Sequence, residues 1–335
     1  MPDQETRRRI HARLEELHER CEREDPNLVE RYYAPGRGYY PPEKAGEERE
    51  QFAVCVATTD GEIFEAGDSD LPFALQSLSK VFAYGLALAD HGPERVLERV
   101  GVEPSGEAFN SLRFDERNMR PFNPMINAGA LVTSELVAGA GPGEQFHRLL
   151  DLMRASAGND AVAVDDVVLN AELDSADRNR GTAYLMRSAG MLHGDVEGLL
   201  ELYLRHCSVA VSCRDLAVMG ATLADGGRNP LNGAQVLPRR RVRDVLSVML
   251  TCGMYDYAGS WAFEVGLPAK SGVSGGILAV IPGKFGIGVF SPGLDVYGNS
   301  VRGVQVCEDL SDRLGLHLFA TEEEDAMLTA AAPSA

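Results

Sequence analysis

Segments with the pattern of β-strands lie near both ends of the chain, and helical patterns fill most of the sequence between them. Near the start, "QFAVCVATTDGEIFEAGD" has two β-rich runs around Asp60-Gly61, a dipeptide typical of hairpin turns. Near the end, "GGILAVIPGKFGIGVFSP" has two apolar runs around Pro282-Gly283-Lys284. We expect the first and last strands to meet in one antiparallel sheet, flanked by helices and carrying a large all-helical insert, which is an α+β fold.

Helical periodicity dominates from about Val96 to Met249. Ser212 is typical of a helix N-cap, and Gly226 of the residue that follows a helix end. Two segments place apolar residues on one helical face: Phe146, Leu149, Leu150 and Met153, and then Val196, Leu199, Leu200, Tyr203 and Leu204. We predict one domain over 51–320, with sheet parts at about 51–95 and 260–320 and a helical part at about 96–259.

The two ends of the chain differ from this domain. Residues 1–50 predict an N-terminal helix, with Ile10, Leu14, Leu17 and Cys21 at helical spacing, followed by a linker rich in Pro and Gly. Residues 321–335 predict a flexible acidic tail. The Glu-rich start lacks the apolar core of a secretory signal, and no run is long enough to span a membrane. We therefore expect a soluble, cytoplasmic protein.

The formal net charge of −18 argues against a nucleic acid or an anionic membrane as partner, because both favour a basic surface. The six cysteines are scattered, without a C-x-x-C pair or histidines at zinc-binding spacing, which indicates free thiols in a reducing compartment. No H-E-x-x-H motif and no phosphate-binding glycine loop is present. The sequence thus predicts a small-molecule partner and neither a metal nor a cofactor.

Lysine is rare in this chain, and one of its four lysines lies in "FALQSLSKVFAYGLALAD". A helix that begins near Ser77 and runs to about Ala89, before Gly92-Pro93, places Ser77 and Lys80 on one face. A buried lysine can lose its proton and activate a serine hydroxyl, whereas an arginine stays charged. The S-x-x-K spacing therefore indicates nucleophilic catalysis, although so short a motif also arises by chance.

A second motif, "AKSGVSGG", contains a K-S-G triplet that begins at Lys270 and leads into a strand. Serine acylating enzymes of the penicillin-recognising type carry such a triplet beside S-x-x-K. Its glycines allow a strand edge to approach a ligand and to offer backbone N–H groups to an oxyanion. A glycine-rich turn before a strand is the alternative explanation.

Longer segments resemble one family. The chain is similar to the serine-dependent glutaminases, from about Asn27 to about Leu318, in the blocks "LQSLSK", "EPSGEAFN", "NPMINAGAL", "DRN", "ATLADGG", "TCGMYDYAGSWAFEVGLPAKSGVSGGILAV" and "GNSVRGV". This resemblance implies a β-lactamase/transpeptidase-like fold, hydrolysis of L-glutamine to L-glutamate and ammonia by the domain 51–320, no cofactor, and a homo-oligomer (dimer or tetramer).

The resemblance also implies roles for individual residues. Ser77 would be the nucleophile and Lys80 its base, with Tyr255 beside them as a proton relay or an alternative base. The backbone N–H groups of Ser77 and Val273 would hold the oxyanion. The expected substrate contacts are Asn127, Glu172, Asn179 and Tyr203, with Glu172 suited to the α-ammonium group.

The N-terminal part of this chain matches the family pattern less directly. The family has an N-terminal tyrosine in a Y-x-P context, and this chain reads "VERYYAP" before an unusually long Pro/Gly segment. Tyr33 fits that context best as a further substrate contact, and Tyr32 is the alternative.

Two other functions compete with glutamine hydrolysis. A penicillin-binding protein or β-lactamase would use the same serine chemistry on a cell-wall substrate, but it requires export, and the chain shows no signal peptide. A catalytically silent module that binds glutamine or forms filaments would not need Ser77, Lys80 and Tyr255. Selectivity between glutamine and asparagine depends on the length of the pocket, which the sequence does not give.

Overall fold

The fold is described from a computed structural model, which covers residues 4–22 and 51–320. The predicted linker, Tyr32, Tyr33 and the acidic tail lie outside the described residues. The strands are β1 Ala53–Thr58, β2 Ile63–Gly67, β3 Phe73–Ala74, β4 Ala163–Val164, β5 Val209–Val211, β6 Ala269–Ser271, β7 Gly276–Ile281 and β8 Phe285–Phe290.

Five of these strands form the central antiparallel sheet, in the order β2-β1-β8-β7-β6. The first hairpin pairs β1 with β2, and the last pairs β7 with β8. Between the hairpins, β1 pairs with β8, with Ala53 opposite Phe290 and Thr58 opposite Phe285. The prediction that the two ends of the chain meet in one sheet is therefore confirmed.

Eleven α-helices are present in the described residues. They are α1 Gln4–Glu22, α2 Ser79–Arg99, α3 Asn127–Leu136, α4 Pro142–Ala157, α5 Asp166–Asp174, α6 Asp177–Ser188, α7 Val196–Cys207, α8 Cys213–Ala224, α9 Arg239–Cys252, α10 Ala258–Glu264 and α11 Val301–Leu314. Ser212 caps α8 as predicted, and its hydroxyl accepts from the backbone N–H of Asp215. Gly226 follows the end of α8 with a φ of 64°.

The sheet separates two apolar layers. One face packs against α8, and α2 and the helices of the insert belong to the same apolar cluster. The opposite face is covered by α1 and α11, and the four apolar residues predicted to share a face of α1 are all buried there. Alternate residues of β1 contribute to the two layers, as the two-residue period of a strand requires. The fold is thus a helix-rich α+β arrangement, as predicted.

One detail differs from the sequence prediction. The insert is not all-helical, because β4 and β5 lie within it and join β3 in a small sheet of order β3-β5-β4. These strands have only two or three residues, which is too short to show a two-residue period. The helix that begins near Ser77 stops before Gly92-Pro93, as predicted: Gly92 has a φ of 76° and interrupts α2, and Pro93 begins a second helical segment that reaches Arg99.

All six cysteines are free and buried, in agreement with the predicted absence of a disulfide framework. Among the described residues, no helix combines the length and apolar character that crossing a membrane requires.

The backbones of α8 and β8 lie so close together that the packing of α8 on the sheet can be tested by substitution. A Cβ atom at Gly286 would lie 2.2 Å from the backbone nitrogen of Ala221 and 2.3 Å from the carbonyl carbon of Gly220. Gly286→Ala should therefore lower the free energy of unfolding by at least about 1–3 kcal/mol, as overpacking does. Urea unfolding followed by circular dichroism measures the change.

Gly181→Ala is the matched control, because Gly181 lies in α6 and a Cβ atom added there would meet no other atom within 4 Å. Alanine there should leave stability unchanged or raise it by up to about 1 kcal/mol, through helix propensity. Equal stability of the two variants would show that α8 does not lie this close to the sheet.

Candidate active site

Ser77 lies in a single 3-10 turn, Gln76–Leu78, that joins β3 to α2. Gln76 has a left-handed φ of 50°, which is uncommon for a residue other than glycine. The turn is held from both sides: Leu75 donates its backbone N–H to the carbonyl of Val209 at 2.8 Å, and the Ser79 hydroxyl donates to the carbonyl of Gln76 at 2.6 Å. The backbone on both sides of Ser77 is thereby held just before α2, and Ser77 itself is buried.

Lys80 follows in the first turn of α2 and is fully buried. Its Nζ donates to Asn127 Oδ1 at 2.7 Å and to the carbonyl of Met125 at 3.4 Å, and it forms no ion pair with any described residue. Burial lowers the pKa of Lys80 to about 8, and the smaller effect of Cys207 opposes this shift. An amine with this pKa is neutral in part of the molecules near pH 7.

Asn127 connects Lys80 to two more predicted site residues. It begins α3, and its Oδ1 also accepts from the Tyr203 hydroxyl at 3.2 Å. Its Nδ2 donates to Asn179 Oδ1 at 2.9 Å. Four residues that were predicted from separate parts of the sequence therefore form one hydrogen-bonded network, in which Asn179 comes from α6 and Tyr203 from α7.

Glu172 lies near the end of α5 and is buried against Gln76, the residue before Ser77. Its Oε1 accepts from Gln76 Nε2 at 2.9 Å. Burial raises the pKa of Glu172 to about 7, and the hydrogen bond from Gln76 acts in the opposite direction. Within 4–22 and 51–320, the site thus offers this carboxylate no cationic partner.

Tyr255, in a 3-10 turn between α9 and α10, packs against Lys270 of β6. Tyr255 has a left-handed φ of 56°, and its hydroxyl donates to the carbonyl of Ser271 at 2.9 Å. Lys270 in β6 is fully buried, and its Nζ donates to the same carbonyl at 2.7 Å and to the carbonyl of Gly253 at 2.8 Å. The Nζ also lies 4.1 Å from the centre of the Tyr255 ring. Burial, together with the charge of Lys80, holds the pKa of Lys270 well below its usual value.

The loop between β6 and β7 packs against the turn that carries Ser77. A Cβ atom at Gly272 would lie 2.9 Å from the carbonyl oxygen of Leu75 and 3.3 Å from Leu78 Cγ, so a glycine is needed for this approach. Val273, the next residue, is buried in a small cluster with Tyr255, Phe109 and Leu294. This position is compatible with the predicted oxyanion role of its N–H group, which remains a prediction.

Sequence reasoning missed several residues of the site. Gln76 and Phe109 lie inside the family blocks but carried no assigned role. The Phe109 ring packs against Tyr255 with 4.7 Å between centres, and its carbonyl accepts the backbone N–H of Asn127 at 2.9 Å. Lys270 was noted in the K-S-G motif without a role, and His206, which lies behind the Ser77 turn, gave no local signal.

Comparison with known proteins identifies the family of the chain. The family model described as Glutaminase matches residues 38–319. The chain belongs to the glutaminase family. A glutaminase from Trichormus variabilis is 54% identical over 280 residues, which cover 84% of each chain, and Glutaminase 2 of Clostridium perfringens is 44% identical over 84% of this chain and 92% of its own.

Solved structures of this glutaminase's relatives share the fold. The crystal structure of Mglu in its glutamate form is 42% identical, with a TM-score of 0.86 over 94% of this chain and 71% of that chain. The probable glutaminase of Bacillus subtilis is 34% identical, with a TM-score of 0.83 over 93% and 98% of the two chains. These neighbours confirm the predicted β-lactamase-like fold.

The small number of lysines makes the burial of Lys80 and Lys270 directly testable. In protein labelled with ¹³C at lysine Cε, we expect one signal to titrate near pH 8 and another to titrate well below the usual lysine pKa of about 10.4. Lys80→Met should remove the first signal and Lys270→Met the second. Titration of every lysine signal near pH 10 would contradict the described site.

Proposed function

We propose that this glutaminase hydrolyses L-glutamine to L-glutamate and ammonia through an acyl-enzyme on Ser77, with Lys80 as the base. The observation that carries the mechanism is the fully buried Lys80 amine, one turn after Ser77, whose described partners are neutral oxygen acceptors rather than a carboxylate. A carboxylate beside it would stabilise the charged form, whereas burial alone favours the neutral amine that a base must be.

Substrate binding uses the charges and amides around Ser77. The carboxylate of Glu172 holds the α-ammonium group of glutamine, and Gln76 keeps that carboxylate in place through the 2.9 Å hydrogen bond. Asn127, Asn179 and Tyr203 offer neutral donors and acceptors to the α-carboxylate and the side-chain amide. Tyr33 is a further substrate contact in this proposal and lies outside the described residues.

In the first chemical step, the neutral amine of Lys80 takes the hydroxyl proton as Ser77 Oγ forms a bond to the amide carbon. The oxyanion of the tetrahedral intermediate is held by the backbone N–H groups of Ser77 and Val273. Collapse of the intermediate breaks the C–N bond, and the proton on Lys80 passes, directly or through Tyr255, to the departing ammonia. A glutamyl ester of Ser77 remains.

In the second step, water attacks the ester carbon while Lys80 takes one of its protons. The ester bond breaks, the proton returns to Ser77 Oγ, and glutamate leaves. Lys80 suits both steps better than Tyr255 does, because the Tyr255 hydroxyl already donates its proton to the carbonyl of Ser271. Tyr255 is therefore assigned to the relay and to the positioning of groups around Ser77.

The proposal also includes the domain organisation, cofactor requirement, oligomeric state and cellular location of the enzyme. Residues 51–320 form a single catalytic domain, which works without a cofactor. The family resemblance implies a homo-oligomer (dimer or tetramer), and the absence of a signal-like segment favours the cytoplasm. Its partner is the small molecule glutamine, rather than a nucleic acid or a membrane.

Ser77→Ala tests the nucleophile. It should reduce glutamine-dependent release of ammonia by several orders of magnitude while the urea unfolding midpoint stays close to that of the parent, because only a hydroxyl is lost. Activity of a folded variant within about tenfold of the parent would place the nucleophile elsewhere.

The parent protein in the same assay tests the two alternative functions. If it bound glutamine without releasing ammonia, it would be a binding module. If it turned over a penicillin rather than glutamine, it would be a β-lactamase.

Lys80→Arg separates positive charge from proton transfer. Arginine keeps the charge but cannot become neutral at working pH, so kcat should fall about 10²-fold or more. Lys284→Arg, in the turn between β7 and β8, is the matched control and should leave kcat within about twofold. A folded Lys80→Arg variant with nearly parental kcat would remove Lys80 from the role of base, and thermal melts of both variants check for overpacking.

Glu172→Gln tests the substrate assignment with almost no change in shape. Loss of the charge should raise KM for glutamine roughly 10- to 100-fold, the range expected when a charged hydrogen bond is lost. Glutaramate, which lacks only the α-amino group, should be a poor substrate of the parent, and the variant should discriminate much less between the two compounds. If parent and variant preferred glutamine by the same factor, Glu172 would not bind the ammonium group.

A further inference from the structure

His206 lies fully buried behind the turn that carries Ser77. It belongs to α7, three residues after Tyr203, and the two rings meet edge to face with 5.4 Å between their centres. Its Nδ1 lies 2.9 Å from Ser79 Oγ, and its Nε2 lies 2.9 Å from Ser134 Oγ. The imidazole therefore connects the first turn of α2 with α3, the two helices that carry Lys80 and Asn127.

The contact with Ser79 continues to the backbone beside the nucleophile. The Ser79 hydroxyl donates to the carbonyl of Gln76 at 2.6 Å. Gln76 has the left-handed φ of 50° and directly precedes Ser77. A residue in this conformation persists only when its surroundings hold it, and the Ser79 hydroxyl is one of the groups that do so.

Counting hydrogens assigns the direction of each bond. A hydroxyl has one proton, and the proton of Ser79 goes to the carbonyl of Gln76, so His206 Nδ1 must be the donor to Ser79 Oγ. Nε2 of the neutral ring is then an acceptor, and the Ser134 hydroxyl donates to it. The Ser134 hydroxyl also lies 2.8 Å from the carbonyl of Ala130. That carbonyl already accepts from the Thr133 hydroxyl at 3.0 Å, whereas Nε2 of a neutral ring protonated at Nδ1 has no proton of its own, so we assign the Ser134 proton to Nε2.

The surroundings of His206 favour the neutral ring. Burial lowers its pKa to about 3, and the charge of Lys80 acts in the same direction. Its contacts among the described residues are the two serine hydroxyls and the Tyr203 ring, none of which is a carboxylate. The ring therefore acts through its position rather than by exchanging protons.

We propose that His206 is a positioning residue for the nucleophile, which it orients through Ser79 and the backbone of Gln76. The proposal rests on the proposed role of Ser77. The two sides of the ring have different consequences: the Nδ1 side supports the geometry of Ser77 and hence kcat, whereas the Nε2 side, through Ser134, supports only the packing of α3.

The matched pair Ser79→Ala and Ser134→Ala tests this difference, because each variant removes one of the two hydroxyls bound by His206. Urea unfolding should show similar losses of stability. Ser79→Ala should lower kcat for glutamine at least tenfold and change KM less, whereas Ser134→Ala should keep kcat within about twofold. A folded Ser79→Ala variant with kcat within twofold of the parent, or an equal loss in both variants, would overturn the proposal.

Substitutions of His206 itself provide a test that does not depend on the stability of Ser79→Ala. The amide nitrogen of asparagine can take the place of Nδ1, so His206→Asn should keep most of kcat, whereas His206→Leu should lose at least tenfold. The double variant Ser79→Ala/His206→Leu should be no slower than His206→Leu alone, because both changes break the same connection. If His206→Asn were as slow as His206→Leu, the Nδ1 contact would not position the nucleophile.

Ser77→Ala in the same assay separates this proposal from the proposed function. If Ser77→Ala retained activity, the catalytic assignment would fail before any question about His206 arose. If Ser77→Ala were inactive and the Ser79 and Ser134 variants behaved alike, only the positioning role would fail.

Discussion

The buried amine of Lys80 is the constraint on which the rest of the site depends. A charged lysine inside a protein is costly unless a carboxylate compensates it, and here the described partners are only the oxygens of Asn127 and Met125. The helices α2, α3 and α7 enclose the amine and exclude water, which moves its pKa toward neutrality. The same packing brings Asn127 and Tyr203 to Lys80, so the proposed base and the proposed substrate contacts arise from one arrangement of helices.

Burial also shifts the pKa values of the other ionisable groups in the site. Lys80 and Lys270 are both fully buried, and their mutual repulsion adds to the desolvation that lowers the pKa of Lys270. Glu172 has the opposite shift, because burial disfavours its negative charge as well. Burial therefore favours the neutral forms of Glu172 and of the two lysines. The ammonium and carboxylate groups of a zwitterionic substrate are opposite in charge to the ionised carboxylate and the protonated lysines, respectively. This arrangement suits an amino acid better than an uncharged amide.

Much of the fold could be predicted from local patterns, because each pattern reflects a single element. The hairpin around Asp60, the apolar faces of α1, α4 and α7, and the cap at Ser212 all depend on residues that are close in sequence. The small sheet could not be predicted, because β3 and β4 have only two residues each and depend on β5 for pairing. Such pairing depends on residues far away in the chain.

Contacts within the active site are even harder to predict from local sequence patterns. Ser77 and Lys80 are one turn apart and could be paired from their spacing, but Gln76 meets Glu172 across 96 positions and His206 meets Ser79 across 127. No periodicity indicates such contacts, so the family resemblance supplied Asn127, Glu172, Asn179 and Tyr203, and left out the residues that hold them in place. The fold provides those supporting contacts.

The pH dependence of kcat/KM for glutamine tests the central claim most directly, because it reports the groups that titrate in the free enzyme. Glu172 must be ionised to bind the ammonium group, and Lys80 must be neutral to act as a base. With pKa values of about 7 and about 8, log(kcat/KM) should rise with a slope near two below pH 7, with a slope near one between these values, and level off above about 8. In Glu172→Gln, only the rise that ends near pH 8 should remain. A kcat/KM that stays constant, or that falls as the pH rises over this range, would contradict a buried lysine as the base.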